Sequence, residues 1–153
     1  MSGEEKLNEF LEAIDAWVES KHVHISKAQE ESPVALDFNK QSLSRLTGDD
    51  CSCYAYELYA YAEYIESLRT KENAVLEWAD SSIWYIISTA MQNYGTQYTK
   101  WQEKYYSAIK ENPLAAEILK VKNHAEARVK ILSGKADRIQ QMANILTNLS
   151  RRR

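Results

Sequence analysis

The sequence predicts an all-α protein in which long helices form a coiled-coil-like hairpin, preceded by a small N-terminal helical unit, and the protein is expected to be oligomeric. Its 153 residues contain four Gly and two Pro, too few for the turns that a protein of many short strands needs. Apolar residues also recur at intervals of three and four, the spacing of one helix face. The expected division is an N-terminal helix and linker over residues 1–50, then a long helical hairpin with a C-terminal oligomerisation helix over residues 51–153.

The first helix is predicted near the start of the chain, because an apolar stripe faces away from a run of acidic residues. The stripe consists of Leu7, Phe10, Leu11, Ile14, Trp17 and Val18. Pro33 disfavours helix at Ser32 and ends this region. The segment that follows is predicted to be a linker with a short helix near residues 40–46, and the turn over residues 47–50 is able to cap the next helix.

The second predicted helix runs from Cys51 to Tyr94, a stretch without Gly or Pro. At 1.5 Å per residue, some 40 residues would extend roughly 60 Å, which is typical of a coiled coil or helical hairpin rather than a compact globule. Gly95 is expected to break this helix.

The last predicted helix begins at Asn112-Pro113, with Asn as the N-cap and Pro in the first turn. Ser133-Gly134 is expected to bend this helix rather than end it. Its apolar positions step by threes and fours to Leu149, as the seam of a coiled coil does. Because this seam is longer than one facing helix can cover, we expect another subunit to cover it. The expected oligomerisation residues are Leu114, Ile118, Val121, Val129, Leu132, Ile139, Leu146 and Leu149.

Catalytic and metal-binding patterns are missing from the sequence. It contains no GxGxxG, GxxxxGK[ST], GxSxG or HExxH, so we expect no enzyme, no catalytic residue and no cofactor. The pairs His22/His24 and Cys51/Cys53 have spacings unlike those of zinc sites, so no metal is expected either. Both cysteines are interpreted as reduced thiols, and their role is left open.

The N-terminus lacks the features of a secretory signal. The longest apolar-leaning stretch, Ile83 to Met91, is about half the length of a membrane span. We therefore expect a cytoplasmic protein that does not enter a membrane, located in the host cytoplasm if a phage encodes it.

Charge is distributed unevenly along the chain. Residues 1–99 carry 7 basic and 17 acidic residues, whereas residues 100–153 carry 12 and 5. A basic third of this kind attracts a polyanion or docks on the acidic part of another copy, and the sequence leaves both open.

Aromatic and basic residues alternate in the connector before the last helix, a combination that suits a phosphate chain with unpaired bases. The alternative is a solvated polar helix face with a frayed tail. The candidate nucleic-acid-binding residues are Lys100, Trp101, Lys104, Tyr105, Tyr106, Lys120, Lys122, Arg128, Lys130, Lys135, Arg138, Arg151, Arg152 and Arg153.

The order of these parts resembles the phage recombination mediator family (UvsY-like). The resemblance rests on Tyr56-Glu57-Leu58-Tyr59-Ala60-Tyr61-Ala62, on Lys104-Tyr105-Tyr106-Ser107, and on the helix that opens at Asn112-Pro113-Leu114, and it covers about two-thirds of the chain. It implies a non-enzymatic protein that binds single-stranded DNA, contacts a recombinase and a single-strand binding protein, forms a homo-oligomer, and helps to load the recombinase onto DNA.

One departure limits what the resemblance implies. Residues 54–94 contain Arg69 and Lys71 as their sole basic residues, whereas the family carries basic residues there. The DNA contacts implied by the resemblance are therefore confined to the connector. The alternative function is a helical structural or inhibitory protein-interaction module without nucleic-acid binding.

Overall fold

The computed structural model describes residues 3–21 and 31–153. Within these ranges the regular structure is helical and no strand occurs, so the all-α prediction is confirmed. The helices are α1 (Gly3–Ser20), α2 (Lys40–Ser44), α3 (Gly48–Ile87), α4 (Trp101–Lys110), α5 (Pro113–Leu132) and α6 (Lys135–Arg152), and single 3₁₀ turns occupy Val34–Asp37 and Met91–Asn93.

Helix α3 has the predicted length of 40 residues. It begins at a reciprocal cap, in which the Asp50 amide donates to Thr47 Oγ1 at 3.1 Å and the Thr47 amide donates to Asp50 Oδ2 at 3.0 Å. This capping box satisfies amides that have no partner within the helix. The helix ends at Ile87, before the expected break at Gly95.

The C-terminal region contains two helices where one bent helix was expected. The predicted N-cap is confirmed, since the Ala115 amide donates to Asn112 Oδ1 at 3.1 Å. Helix α5 nevertheless stops at Leu132, and α6 starts at Lys135. Gly134 has a φ of +78°, a left-handed conformation that interrupts the right-handed helix. The expected bend was therefore wrong, and Gly134 ends the helix.

Contacts divide the chain into two units. Of the described residues, unit 1 comprises 3–21 and 71–129, and unit 2 comprises 31–70 and 130–153. Each unit combines an N-terminal segment with a C-terminal one, whereas the division predicted from the sequence falls after residue 50.

In unit 1, residues 71–87 of α3 run antiparallel to residues 113–129 of α5. Lys122 pairs with Asp80 and Arg128 pairs with Glu72, each at 2.8 Å. Residue numbers therefore rise along α5 in the direction in which they fall along α3. The Phe10 ring of α1 lies 6.2 Å from that of Trp78. The core of this unit consists of Ala79, Ile83, Ile87, Met91, Tyr105, Ala108, Ile109, Ala115 and Ile118.

In unit 2, residues 48–70 of α3 pack on α6 through facing stripes of small and branched residues. The buried positions step by fours and threes, as in a coiled-coil seam. They are Cys51, Ala55, Leu58, Ala62 and Ile65 on α3, and Ala136, Ile139, Ala143 and Leu146 on α6. Tyr54, Tyr61 and Tyr64 pack against this core, whereas Tyr56 and Tyr59 are exposed.

This packing corrects the argument for an oligomer. Ile118, Ile139 and Leu146 are 1%, 8% and 2% exposed within a single chain. The last helices therefore bury the centre of their apolar seam in the protein's own core, and a second subunit is not required to cover it. The remaining predicted oligomerisation residues are half-buried: Leu114, Val121, Val129, Leu132 and Leu149.

Candidate nucleic-acid interface

An aromatic cleft lies in unit 1 where α3, α4 and α5 meet. Its volume is about 400 Å³, which is within the usual range for sites that bind small ligands. Its lining is unusually rich in rings, with one carboxylate and one ammonium group among them. The lining residues, which define the aromatic cleft, are Asp80, Trp84, Trp101, Gln102, Tyr105, Tyr106 and Lys122.

Local sequence explains how the rings reach the cleft. Helix α4 buries Tyr105, Ala108 and Ile109, and Trp101 lies one turn before Tyr105, so both rings project from the same side of the helix. On α3, Ile83 and Ile87 are buried. Trp84 is adjacent to this buried stripe and therefore lies at its edge, where it is partly exposed.

The rings form a continuous stack across two helices. The centroids of Trp84 and Trp101 are 6.0 Å apart with an interplanar angle of 29°, and those of Trp101 and Tyr105 are 4.9 Å apart at 18°. Tyr106 contacts Tyr105 edge to face. Trp84, Trp101 and Tyr106 are 48%, 55% and 58% exposed. The stack therefore offers large aromatic surfaces to a ligand.

Tyr105 is the buried ring of this stack. It was predicted to contact nucleic acid, and in the structure it is 6% exposed, with its ring in the core of unit 1. Its hydroxyl is buried and has no hydrogen-bond partner within the described residues. A buried hydroxyl without a partner is costly.

An ion pair forms the polar part of the cleft. Lys122 Nζ lies 2.8 Å from Asp80 Oδ1 and 5.7 Å from the centroid of the Tyr105 ring. Partial burial acts to lower the pKa of Lys122, but the hydrogen bond to Asp80 and the nearby oxygens of Tyr105 and Asp80 outweigh it, so the pKa is raised. Lys122 therefore keeps its positive charge at neutral pH.

Two further predicted cations lie beside the exposed rings in the sequence of α4 and its N-cap. Lys100 precedes the helix and is exposed, and Lys104 is half-buried on the helix. Both lie within four residues of Trp101. Trp84 was not predicted as a contact residue. The sequence does contain an indication of it, because Trp84 is a large ring that does not share the helical spacing of the buried stripe of Ile83 and Ile87.

The other predicted basic residues are divided between the units. Lys120, Lys122 and Arg128 belong to unit 1, and Arg128 is occupied by its pair with Glu72. Unit 2 contains Lys130, Lys135, Arg138, Arg151, Arg152 and Arg153. Arg153 donates to the carbonyl oxygens of Leu43 and Leu46 at 2.8 and 2.7 Å. It therefore caps the end of α2 and is not part of a frayed tail.

A second groove, in unit 2, has the opposite character. Its volume is about 590 Å³, and it is lined by Tyr59, Ala62, Glu63, Glu66, Arg69, Ser133, Gly134, Ala136, Asp137 and Gln140. Arg69 forms an ion pair with Glu66, and this hydrogen bond lowers the pKa of the Glu66 carboxyl. Three carboxylates against one guanidinium repel phosphate, so this groove is a poor site for nucleic acid.

Possible metal ligands are dispersed. His22 and His24 lie outside the described residues. Cys51 is buried in the core of unit 2 and Cys53 is exposed, both as free thiols. Across residues 3–21 and 31–153, no three His, Cys, Asp or Glu side chains come together as a metal site would require. In the same residues, the helices are too short or too polar to cross a lipid bilayer.

Comparison with protein-family models, with curated proteins and with solved structures finds no match.

Proposed function

We propose that this protein is a non-enzymatic single-stranded-DNA-binding protein, and that the aromatic cleft is where it holds the strand. The observation that carries the proposal is the stack of half-exposed rings, Trp84 on Trp101, beside Tyr106 and Lys122. Aromatic surfaces combined with cations are what proteins use to bind unpaired bases and their phosphates.

Single strands fit this surface better than duplexes do. In a duplex the faces of the bases are stacked on one another, whereas a single strand can place a base on an indole ring. Such a stack contributes about 1–3 kcal/mol per base and tolerates any base. Lys100 and Lys104, near Trp101 in the sequence, are the candidate phosphate contacts.

The biological role that we propose comes from the resemblance to recombination mediators. A protein that holds single-stranded DNA and also contacts a recombinase and a single-strand binding protein can help to load the recombinase, and this takes place in the cytoplasm. The sequence segments that carry the resemblance include Lys104-Tyr105-Tyr106-Ser107, which belongs to α4 and contributes two residues to the cleft.

We also propose that the protein is a homo-oligomer with coiled-coil-like packing of its long helices. The regular steps of the facing α3 and α6 stripes in unit 2 support the coiled-coil-like packing. The apolar seam of the last helices does not support the homo-oligomer, because its centre is buried within one chain. The support is that Ile131 on α5 and Ile145 on α6 remain 62% and 54% exposed, so that a second subunit could cover them.

Sedimentation velocity at low and high salt, with and without an oligothymidine, separates this function from its alternative. The proposal predicts a complex that sediments faster with the oligonucleotide at low salt and dissociates from it at high salt. The alternative is a structural or inhibitory module whose basic regions meet only acidic protein surfaces. In that case salt would loosen the protein's own assembly, and the oligonucleotide would leave sedimentation unchanged.

A further inference from the structure

We infer that the aromatic cleft distinguishes among bases and prefers guanine, because Asp80 and Lys122 present the hydrogen-bonding groups that match its edge. This inference rests on the proposed binding of single-stranded DNA and adds base selectivity to it. Stacking on Trp84 and Trp101 would hold any base, so the selectivity must come from the polar residues of the lining.

The ion pair leaves atoms of both partners open to a ligand. The side chain of Asp80 is 63% exposed and that of Lys122 is 23% exposed. Asp80 Oδ1 accepts from Lys122, and a carboxylate has further lone pairs on both oxygens. Lys122 has three N–H donors, of which the contact with Asp80 uses one.

A carboxylate in a cleft for a polyanion needs an explanation, since it repels phosphate. Lys122 offsets that repulsion, and the pair as a whole is close to neutral. What remains is an acceptor and a donor side by side at 2.8 Å, next to exposed rings. This is an arrangement for hydrogen bonding to the edge of a stacked base rather than for attracting its phosphate.

The Watson–Crick edge of guanine fits that arrangement best. It presents two neighbouring donors, N1–H and N2–H, followed by the acceptor O6. Asp80 can accept from both donors while Lys122 donates to O6, and such bonds to charged groups are the strong ones. Adenine and cytosine each present one amino group beside an acceptor, and thymine presents N3–H between two acceptors, so none of them offers adjacent donors to one carboxylate.

One more polar side chain lines the same cleft, that of Gln102, whose amide has donors and an acceptor. Recognition of unstacked bases in single strands commonly combines an aromatic platform with hydrogen bonds to base edges. The cleft contains both parts.

The test is fluorescence anisotropy with labelled oligothymidines that carry one central guanine, inosine, adenine or cytosine, all at one salt concentration. Inosine lacks the 2-amino group and so removes one of the two donors. We expect the guanine oligonucleotide to bind about fivefold or more tightly than the all-thymidine one, with inosine intermediate.

The variant is Asp80→Asn, and its matched control is Glu77→Gln. Both remove one negative charge from the exposed surface of α3, but Glu77 does not line the cleft. Glu77→Gln should keep the guanine preference, and Asp80→Asn should bring the affinity for the guanine oligonucleotide down to that for the all-thymidine one. Circular dichroism checks that both variants remain helical.

Equal affinity of the unmodified protein for all the oligonucleotides would overturn the inference and leave the proposed function standing. A guanine preference that survives in Asp80→Asn would also overturn it. If the folded protein bound none of them, the proposed function itself would fail and the base preference would fail with it.

Discussion

The indole rings of Trp84 and Trp101 stack with their centroids 6.0 Å apart, although one belongs to α3 and the other to α4. Both are about half exposed. A pair of tryptophans that serves packing alone is usually covered, because each ring can bury a large apolar area. The exposed part of this pair is the surface on which the proposed function places a base.

Replacing Trp101 by Ala should weaken the binding of oligothymidine by about tenfold, since one base–aromatic stack contributes about 1–3 kcal/mol. Trp84→Ala should act in the same direction. The control is Trp17→Ala, because Trp17 is 60% exposed on α1 and outside the cleft. Anisotropy titration measures the three affinities. If Trp17→Ala weakened binding as much as Trp101→Ala, the cleft would not be the site.

Replacing Lys100 and Lys104 together by Ala should make binding less sensitive to salt. Each phosphate contact on a single strand contributes about 0.7 to the slope of log affinity against log salt, so the slope should become shallower by about 1.4 if each lysine makes one contact. Lys40→Ala removes an exposed lysine from α2, in unit 2, and should leave the slope unchanged. An unaltered slope in the double variant would show that neither lysine contacts a phosphate.

Substitutions at two adjacent residues of α6 allow folding and assembly to be tested separately. Leu146 is 2% exposed in the core of unit 2, whereas Ile145 is 54% exposed. Leu146→Asp should unfold the protein, because it loses about 1.5–3 kcal/mol of apolar burial and buries a charge. Ile145→Asp should keep the helical circular dichroism and reduce the mass measured by light scattering. If Ile145→Asp retained the native mass, this face of α6 would not be the oligomer contact.

The junction of α5 and α6 depends on Gly134. Because its φ is +78°, Gly134→Ala should lower the free energy of unfolding by about 1–2 kcal/mol, the cost of a left-handed conformation for a residue with a Cβ. Gly134→Asn should cost less, since Asn tolerates this conformation. Urea denaturation measures both. Equal stability of the Ala variant and the unmodified protein would mean that the junction can refold as a continuous helix.

The sequence was sufficient to predict those helices and caps that are determined by neighbouring residues in the chain. The 40-residue length of α3, the short helix that became α2, and the N-cap at Asn112 all follow from propensity, capping and the absence of breakers. The break at Gly134 was underestimated, because a Gly within a helical pattern is compatible with a bend or a stop. Its positive φ decides between them, and that is a property of the folded chain.

Predictions that depended on partners between helices were less reliable. The apolar stripe of α6 was assigned to another subunit, since the sequence does not show that α3 carries a matching stripe from Cys51 to Ile65. The rings of the candidate site were predicted in part: Trp101 and Tyr106 are exposed, Tyr105 is buried and Trp84 was missed. Which ring is covered depends on how α4 packs against α3, and this cannot be deduced from the spacing within either helix.

The measurement that tests the central claim most directly is the affinity of the folded protein for a labelled oligothymidine, determined by fluorescence anisotropy over a series of salt concentrations. The proposal predicts binding at low salt and a linear decrease of log affinity with log salt, with a slope of about −0.7 for each phosphate contacted. An unchanged anisotropy at the lowest salt concentration, with helical circular dichroism intact, would contradict it.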